Sequence, residues 1–549
     1  MKKFGLLFLS VFLVSLSFAQ LKESAEIDKI FAAWNNQTSP GCALGIIQDG
    51  ALVYGRGYGM ANLEYDIPNS TKSVFRIGST SKQFTAACIV LLAEQGKLSL
   101  DQSLDEFFPE FPAYASKIKV QHLLNHTSGI RDYLQLAYLK GYGDDDYYEN
   151  EDIMEWLIHQ SDLNFEPGEE FLYSNSGYWI LGQIVGVAAG MDMAKFAYQE
   201  IFKPLKMVDT HFHNDHNRIV KNRASGYLPN ENGFEICMTT LDMIGDGGIF
   251  TTINDIKKWD DAFYNSEVLS PKFWETMTTH GVLNSGEQID YACGLDVSEY
   301  KGLKTISHGG AFVGFRAELF RFPEQRLTIA IFTNRGDANP TRMAYQIADI
   351  LLKDKFIIEK VETAEVVEIP APKVEFSLDQ VSGTYELEPG MDLSISANEE
   401  GLMAEQGWNG SIYPIVKIKG NTFQIPGEES LSFTFSDLQD DFTQVLSIVQ
   451  DGRTTITNRK AEVDMSTVDL NELVGDFYSA EMDVTYHIVM ENNRLIMGIG
   501  KNPKSELLYA EADVFSSAVG TINFKRNAGK IDGFLLDSGR VINLKFQKK

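Results

Sequence analysis

Arg76-Ile77-Gly78-Ser79-Thr80-Ser81-Lys82-Gln83-Phe84 leads into a run in which Phe84, Cys88, Leu91 and Leu92 recur at helical spacing. That spacing predicts a helix from about Ser79 to Gln95, with Gly96 as its C-cap. A serine at the start of such a helix and a lysine three residues on share one face. A serine hydroxyl attacks a carbonyl well only when a base takes its proton, and Lys82 is placed to help. The unpaired N–H groups of a helix start suit an oxyanion forming beside Ser79. The same four residues also describe an N-cap serine followed by a surface lysine, so Ser-x-x-Lys needs company before it means a site.

Two further segments supply that company. Tyr173 and Asn175 lie two residues apart in an extended lead into the apolar run Tyr178 to Val185, so they point to one side. A phenol beside a lysine can shuttle a proton, and an amide can hold both substrate and lysine. His308-Gly309-Gly310 then precedes a strand pair. The glycines allow a bound acyl group to approach the backbone. His308 is a candidate for proton transfer or for binding an oxyanion or carboxylate, and Ala311 offers an N–H to the carbonyl oxygen.

Around these segments the chain alternates strands and helices. Gly45 to Tyr54 reads as two strands joined by an Asp49-Gly50 turn. Ala317–Phe322 and Leu327–Phe332 read as two more strands, followed by a helix from about Thr341 to Leu352. Strands at both ends with helices between predict an α+β domain, an antiparallel sheet flanked by helices. Beyond Ile369-Pro370-Ala371-Pro372 helical periodicity gives way to short strands. Leu378-x-x-Val381-x-Gly383-x-Tyr385 repeats as Leu470-x-x-Leu473-x-Gly475-x-Phe477, and Gly452-Arg453 has a late counterpart in Gly539-Arg540. The repeat predicts two related small all-β barrels or sandwiches. The expected layout is a leader over 1–19, a hydrolase-like domain over 20–355, a linker over 356–375, and β units over 376–462 and 463–549.

Composition narrows the function classes. A formal net charge of -28 argues against nucleic acid or an anionic membrane as partner. Met1-Lys2-Lys3, an apolar run from Phe4 to Phe18 and small residues at Ser17 and Ala19 describe a secretory leader cleaved before Gln20, too short to span a bilayer. The expectation is an exported chain, periplasmic or secreted, with no membrane span after cleavage. Cys42, Cys88, Cys237 and Cys293 form no CxxC pair, and buried free thiols are expected of the first two. His211, His213 and His216 cluster without a metal-ligand spacing and read as incidental surface histidines. His126 reads as a structural hydrogen-bonder. No cofactor and no metal are called for. The acidic run Asp144 to Asp152 is a loop that would favour cationic substrates if it borders the pocket.

In order, Ser-x-x-Lys, Tyr-x-Asn and His-x-Gly resemble the penicillin-recognising serine hydrolases. The Tyr-x-Asn form is similar to the branch of class C β-lactamases, D-alanyl-D-alanine carboxypeptidases, D-aminopeptidases and esterases. Leu123 to Ile130, Gly247 to Thr252, Gly314-Phe315 and Phe332-Thr333-Asn334 also resemble stretches of that family, over about residues 25 to 353. The resemblance implies a β-lactamase/transpeptidase-like fold. It makes Ser79 the acylated nucleophile, Lys82 its helper and Tyr173 the base and acid. Asn175 would orient substrate and Lys82, and the N–H groups of Ser79 and Ala311 would form the oxyanion hole. The β-lactamase branch has Lys-Thr-Gly where this chain has His308-Gly309-Gly310, and that lysine and threonine help to bind the β-lactam carboxylate. The expectation therefore leans to a peptidase or esterase acting on a small molecule or peptide. The alternatives are a class C-type β-lactamase and a non-catalytic penicillin-binding-like sensor.

Overall fold

Asp49 and Gly50 both adopt left-handed backbone, at φ 51° and 78°. Two such residues in succession make the tight turn that joins the strands Cys42–Gln48 and Ala51–Tyr58. The structure, a computed structural model, describes residues 21–143, 146–265, 267–357, 376–388, 391–398, 401–407, 411–426, 428, 431–439, 441–450, 453–460, 468–500 and 504–549. The expected leader, most of the expected linker, Asp144-Asp145 and Gly452 lie outside the described residues.

The described chain divides into two compact units, each assembled from separate stretches. The first takes the residues up to Lys97 together with Gly182–Gly281 and Asp290–Ile357. The second takes Leu98–Leu181, Val282–Ile289 and the residues after Ile357.

The first unit is built on a six-stranded antiparallel sheet. Its order is Asp296–Tyr300, Leu303–Phe312, Phe315–Phe322, Leu327–Thr333, Cys42–Gln48 and Ala51–Tyr58. Early and late strands meet at its centre, where Ile46 pairs with Ile329 and Leu44 with Ile331. One core joins this sheet to the helices Ser24–Ile30 and Pro340–Leu352 through Ile27, Phe31, Ile347 and Ala348. The helix Ile253–Tyr264 packs so closely that a Cβ on Gly45 would stand 2.4 Å from the Ile253 side chain, which explains a glycine inside a buried strand. The α+β layout with an antiparallel sheet and flanking helices is the one the sequence predicts.

The predicted helix from Ser79 begins differently. Gly78–Ser81 is a 3₁₀ turn, and the α-helix proper is Lys82–Glu94. Gly78 marks the start of the turn, because a backbone left-handed at φ 51° cannot carry a helix back past it. The Phe84 ring packs 4.6 Å from that of Trp259, tilted by 43°, and the helix is buried from Lys82 to Leu92.

In the second unit the helices Tyr133–Leu139 and Asn150–Ile158 accompany two eight-stranded β units. The first runs in sequence order from Gly383–Glu388 to Arg453–Asn458, and a Tyr385–Arg459 bridge joins its ends. The second is a closed barrel in which Gly475–Ser479 pairs with Val541–Lys548. The repeat seen in the sequence has a packing basis. A Cβ on Gly383 would stand 2.6 Å from the Arg459 guanidinium carbon, and one on Gly475 would stand 2.7 Å from Lys548 Cε. In both units a long side chain from the closing end of the chain lies across the opening glycine.

Candidate active site

The 3₁₀ turn at Ser79 is pinned from three directions within the first unit. Lys82 is fully buried, and its Nζ lies 3.2 Å from Ser79 Oγ while donating to the Asp246 carbonyl at 2.7 Å. Thr80 Oγ1 donates to the His308 carbonyl at 3.1 Å, and Thr85 Oγ1 to the Gly245 carbonyl at 2.6 Å. Ser81 Oγ accepts from the Ile249 N–H at 3.1 Å. The hydroxyl and amine are thus held in hydrogen-bond reach by a network that uses the residues around them.

The strand carrying His308 presses against this turn. A Cβ on Gly310 would stand 2.0 Å from the Ile77 carbonyl oxygen, and one on Gly78 would stand 2.8 Å from the Ala311 nitrogen. Both positions therefore exclude side chains, and this close approach brings the Ala311 backbone to the serine turn. Backbone N–H groups in such a setting are the usual donors to an oxyanion.

His308 sits on the same strand, 7 % exposed, and its imidazole is fixed at both ends. Nδ1 donates to the Gly309 carbonyl at 2.5 Å, which leaves Nε2 to accept from the Tyr291 hydroxyl at 2.9 Å. Burial, with the Lys82 charge second, lowers its pKa to about 4. At neutral pH His308 is therefore an uncharged hydrogen-bonding group and does not supply the positive charge that a lysine supplies there in the β-lactamase branch. Across the strand pair, Glu318 faces Gly309 and accepts from Thr341 Oγ1 at 2.5 Å, and burial raises its pKa to about 7.

Tyr173 and Asn175 belong to the second unit. Asn175 opens the helix Asn175–Ala189, and both its backbone N–H and its Nδ2 donate to Asp132 Oδ2, at 2.7 and 2.9 Å. Asp132 also caps the helix Tyr133–Leu139, accepting from the N–H groups of Leu134 and Gln135. The Tyr173 ring packs against His126, centroids 4.1 Å apart and tilted by 34°. His126 Nδ1 accepts from the Ser174 N–H at 3.1 Å and its carbonyl from the Leu172 N–H at 3.0 Å, so it acts as the structural hydrogen-bonder expected of it.

No motif reveals what braces this segment from beyond residue 480. Arg131 is fully buried and donates to Glu481 Oε2 at 2.8 Å, to Gln160 Oε1 at 2.9 Å and to the carbonyls of Ile542 and Asn543 at 3.1 Å. The turn at Gly539-Arg540 lays the Arg540 guanidinium over the Tyr173 ring at 4.7 Å. Tyr291 and Asp132 belong to no motif, and Gly78 and Arg540, though quoted within motifs, show their contacts only in the fold.

The histidine cluster differs from expectation. His213 is buried, and burial followed by the charge of Arg76 lowers its pKa to about 4, so it is not an incidental surface group. Cys42 and Cys88 are buried free thiols. Among the described residues, no single helix is long and apolar enough to cross a membrane.

A family model described as Beta-lactamase matches residues 27–352. Penicillin-binding protein 4* of Bacillus subtilis (strain 168) is 31 % identical over 381 residues, covering 65 % of this chain and 82 % of that protein. D-aminopeptidases of Gluconobacter oxydans and Brucella anthropi are 25 % and 27 % identical over 57 % and 58 % of the chain. The alignment spans 59 % and 60 % of the length of those two enzymes. The structure of the octameric penicillin-binding protein homologue from Pyrococcus abyssi superposes with a TM-score of 0.58 at 22 % identity, over 80 % of this chain and 99 % of that one. A penicillin-binding protein from Bacillus halodurans gives 0.53 at 23 % identity over 59 % and 98 %. At these identities the two structures share the fold.

Proposed function

The chain belongs to the beta-lactamase family of serine hydrolases, and from that premise we propose that it is an exported enzyme that opens an amide or ester bond through an acyl-serine. Peptides of D-amino acids are the favoured substrates. The observation that carries the proposal is Lys82 Nζ at 3.2 Å from Ser79 Oγ, with the lysine wholly buried.

In the proposed reaction Ser79 Oγ attacks the substrate carbonyl carbon as its single proton passes to Tyr173, with Lys82 assisting the transfer. The carbonyl π electrons move to oxygen, where the N–H groups of Ser79 and Ala311 receive the charge. Collapse of that intermediate breaks the bond to the leaving nitrogen or oxygen, and Tyr173 returns the proton to it. Asn175 orients the bound acyl group. Water then attacks the acyl-serine, the proton traffic runs in reverse, and Ser79 is regenerated with a free acid as second product. The D-aminopeptidase relatives favour D-amino-acid substrates. A neutral His308 in the place of lysine weighs against strong β-lactam hydrolysis. Export rests on the leader read at residues 1–19.

The test is a fluorophosphonate label together with a panel of p-nitrophenyl esters, D-amino-acid anilides, a D-Ala-D-Ala peptide and a chromogenic cephalosporin. Ser79→Ala is expected to abolish labelling and to lower hydrolysis at least about a thousandfold. Unchanged hydrolysis in that variant sinks the assignment. A stable adduct without turnover would make the chain a penicillin-binding-like sensor.

A further inference from the structure

Three short strands of the first unit bring two arginines and two histidines to one pocket. Phe250, in the strand Ile249–Thr251, pairs with Arg76 on one side and with His211 on the other. Arg223 bridges in parallel to Val74, and the Ala224 N–H donates to the Val74 carbonyl at 3.0 Å. Just past His211, the His213 N–H donates to the Gly248 carbonyl at 2.7 Å. Arg76, His213, His216 and Arg223 thereby line a pocket whose apolar walls include Phe250 and Phe315. It measures about 320 Å³ including its open mouth, and neither Ser79 nor Lys82 lines it.

The charge there is one-sided. The Asp242 carboxylate is taken up by His216, accepting from the backbone N–H at 2.6 Å and lying 2.8 Å from Nδ1. Arg76 is 7 % exposed, and its guanidinium carbon lies 4.6 Å from the centre of the Phe312 ring. Arg223 is exposed, and among the described residues its side chain makes no hydrogen bond and no ion pair. Even in a chain of net charge -28, no carboxylate of the described residues is set against it. His213 feels this field. Burial first, then the charges of Arg76, Arg223 and Arg218, lower its pKa to about 4 and leave a neutral ring with one N–H to donate.

The turn beside the pocket is strained. Val313, which also lines it, has left-handed backbone at φ 44°, a region that a β-branched residue rarely enters. Arg316 Nη1 holds the turn, donating to the carbonyls of Val313 at 2.8 Å and Phe315 at 2.7 Å. Strain of this kind collects at ligand clamps and active sites.

We propose that this pocket binds a phosphate-type dianion, the free ion or the phosphate of a monoester, at a site separate from the serine. Two guanidinium forks and an imidazole N–H match its several acceptor oxygens and its double charge. A carboxylate, with one charge and two oxygens, leaves part of that set unused. The inference does not depend on Ser79 being the nucleophile.

The experiment titrates the full chain at pH 8 with inorganic phosphate and with phenyl phosphate, against sodium chloride at equal ionic strength, and reads binding by calorimetry. Saturable binding that chloride does not reproduce is expected. Arg223→Gln should weaken it at least about tenfold, and Arg223→Lys should keep part of it. Protein capped at Ser79 with a fluorophosphonate should bind as tightly as uncapped protein. Tighter binding of phenyl phosphate identifies a monoester as the ligand, and equal or weaker binding identifies the free ion. No saturable binding, an effect that chloride matches, or an unchanged affinity in Arg223→Gln overturns the site. Loss of binding on capping places the anion at Ser79 and overturns it as well. A chain that takes no label sinks the acyl-serine reading and leaves this site to be decided by the Arg223 variants.

Discussion

The segment that holds Ser79 and the segment that holds Tyr173 are stabilised by different physics. Around Ser79 the means are close backbone approach and uncharged groups: glycines at 78 and 310, a neutral His308 and a Glu318 whose pKa is raised to about 7. Around Tyr173 they are charges and charge-assisted hydrogen bonds: Asp132, Arg131, Glu481 and Arg540. The first arrangement tolerates no added atom at its glycines. The second has room at its surface but fails if one partner of a buried pair is removed.

Arg131→Ala tests the second arrangement most severely. It leaves Glu481 buried without its cation and strips the carbonyls of Ile542 and Asn543. A loss of about 3–5 kcal/mol is expected, read from urea unfolding of the second unit. A loss below about 1 kcal/mol would mean that the buried pair does not brace the segment. Gly310→Ala tests the first arrangement, because its Cβ must displace the Ile77 carbonyl. Hydrolysis should fall at least about a hundredfold, as when one oxyanion donor is lost, and near-normal kcat would show that the serine turn is looser than the contact implies.

A pH series on Glu318→Gln gives a smaller effect with a definite sign. The folded pKa of Glu318, about 7, lies above its ordinary 4.5, so the stability gained by keeping it neutral is whole below pH 4.5 and lost as pH rises through 7. His308 slopes the other way, since its folded pKa of about 4 lies below 6.5: its contribution is whole above 6.5 and lost as pH falls through 4. Glu318→Gln removes only the first slope. The variant should melt several degrees above wild type at pH 8 and close to it at pH 4.5. Equal melting temperatures at both would show that Glu318 is not held neutral. The smallest effect belongs to Lys545→Ala, which removes an exposed ion pair with Asp162 in the same second unit as Arg131. It should cost about 0–1 kcal/mol, and a larger loss would erase the contrast between buried and exposed charge there.

The same contrast explains what could be read in the sequence. Ser79 and Lys82 are three residues apart, and the chemistry that links them is local, so a motif reveals it. The central sheet was legible because an Asp-Gly turn and alternating apolar runs are local signals too. The left-handed start at Gly78 was not, since a glycine before a serine has many uses until the Ala311 backbone is seen against it. Arg131 and Glu481 are 350 positions apart, and neither belongs to a pattern. Gly539-Arg540 did stand out, but only as a mark of the repeat, because nothing in a barrel's turn says what it will be laid against. His213 was misjudged for a related reason, as burial of a polar residue is decided by the fold around it.

The bond from Arg131 to the Ile542 carbonyl also sets an order in time. The two residues are separated by 411 positions, and a ribosome adding about 5–20 residues per second needs roughly 20–80 s to pass from one to the other. Through that interval the arginine has been made and its final acceptors have not. The segment bearing Tyr173 can reach its finished packing only after the last strands of the barrel emerge.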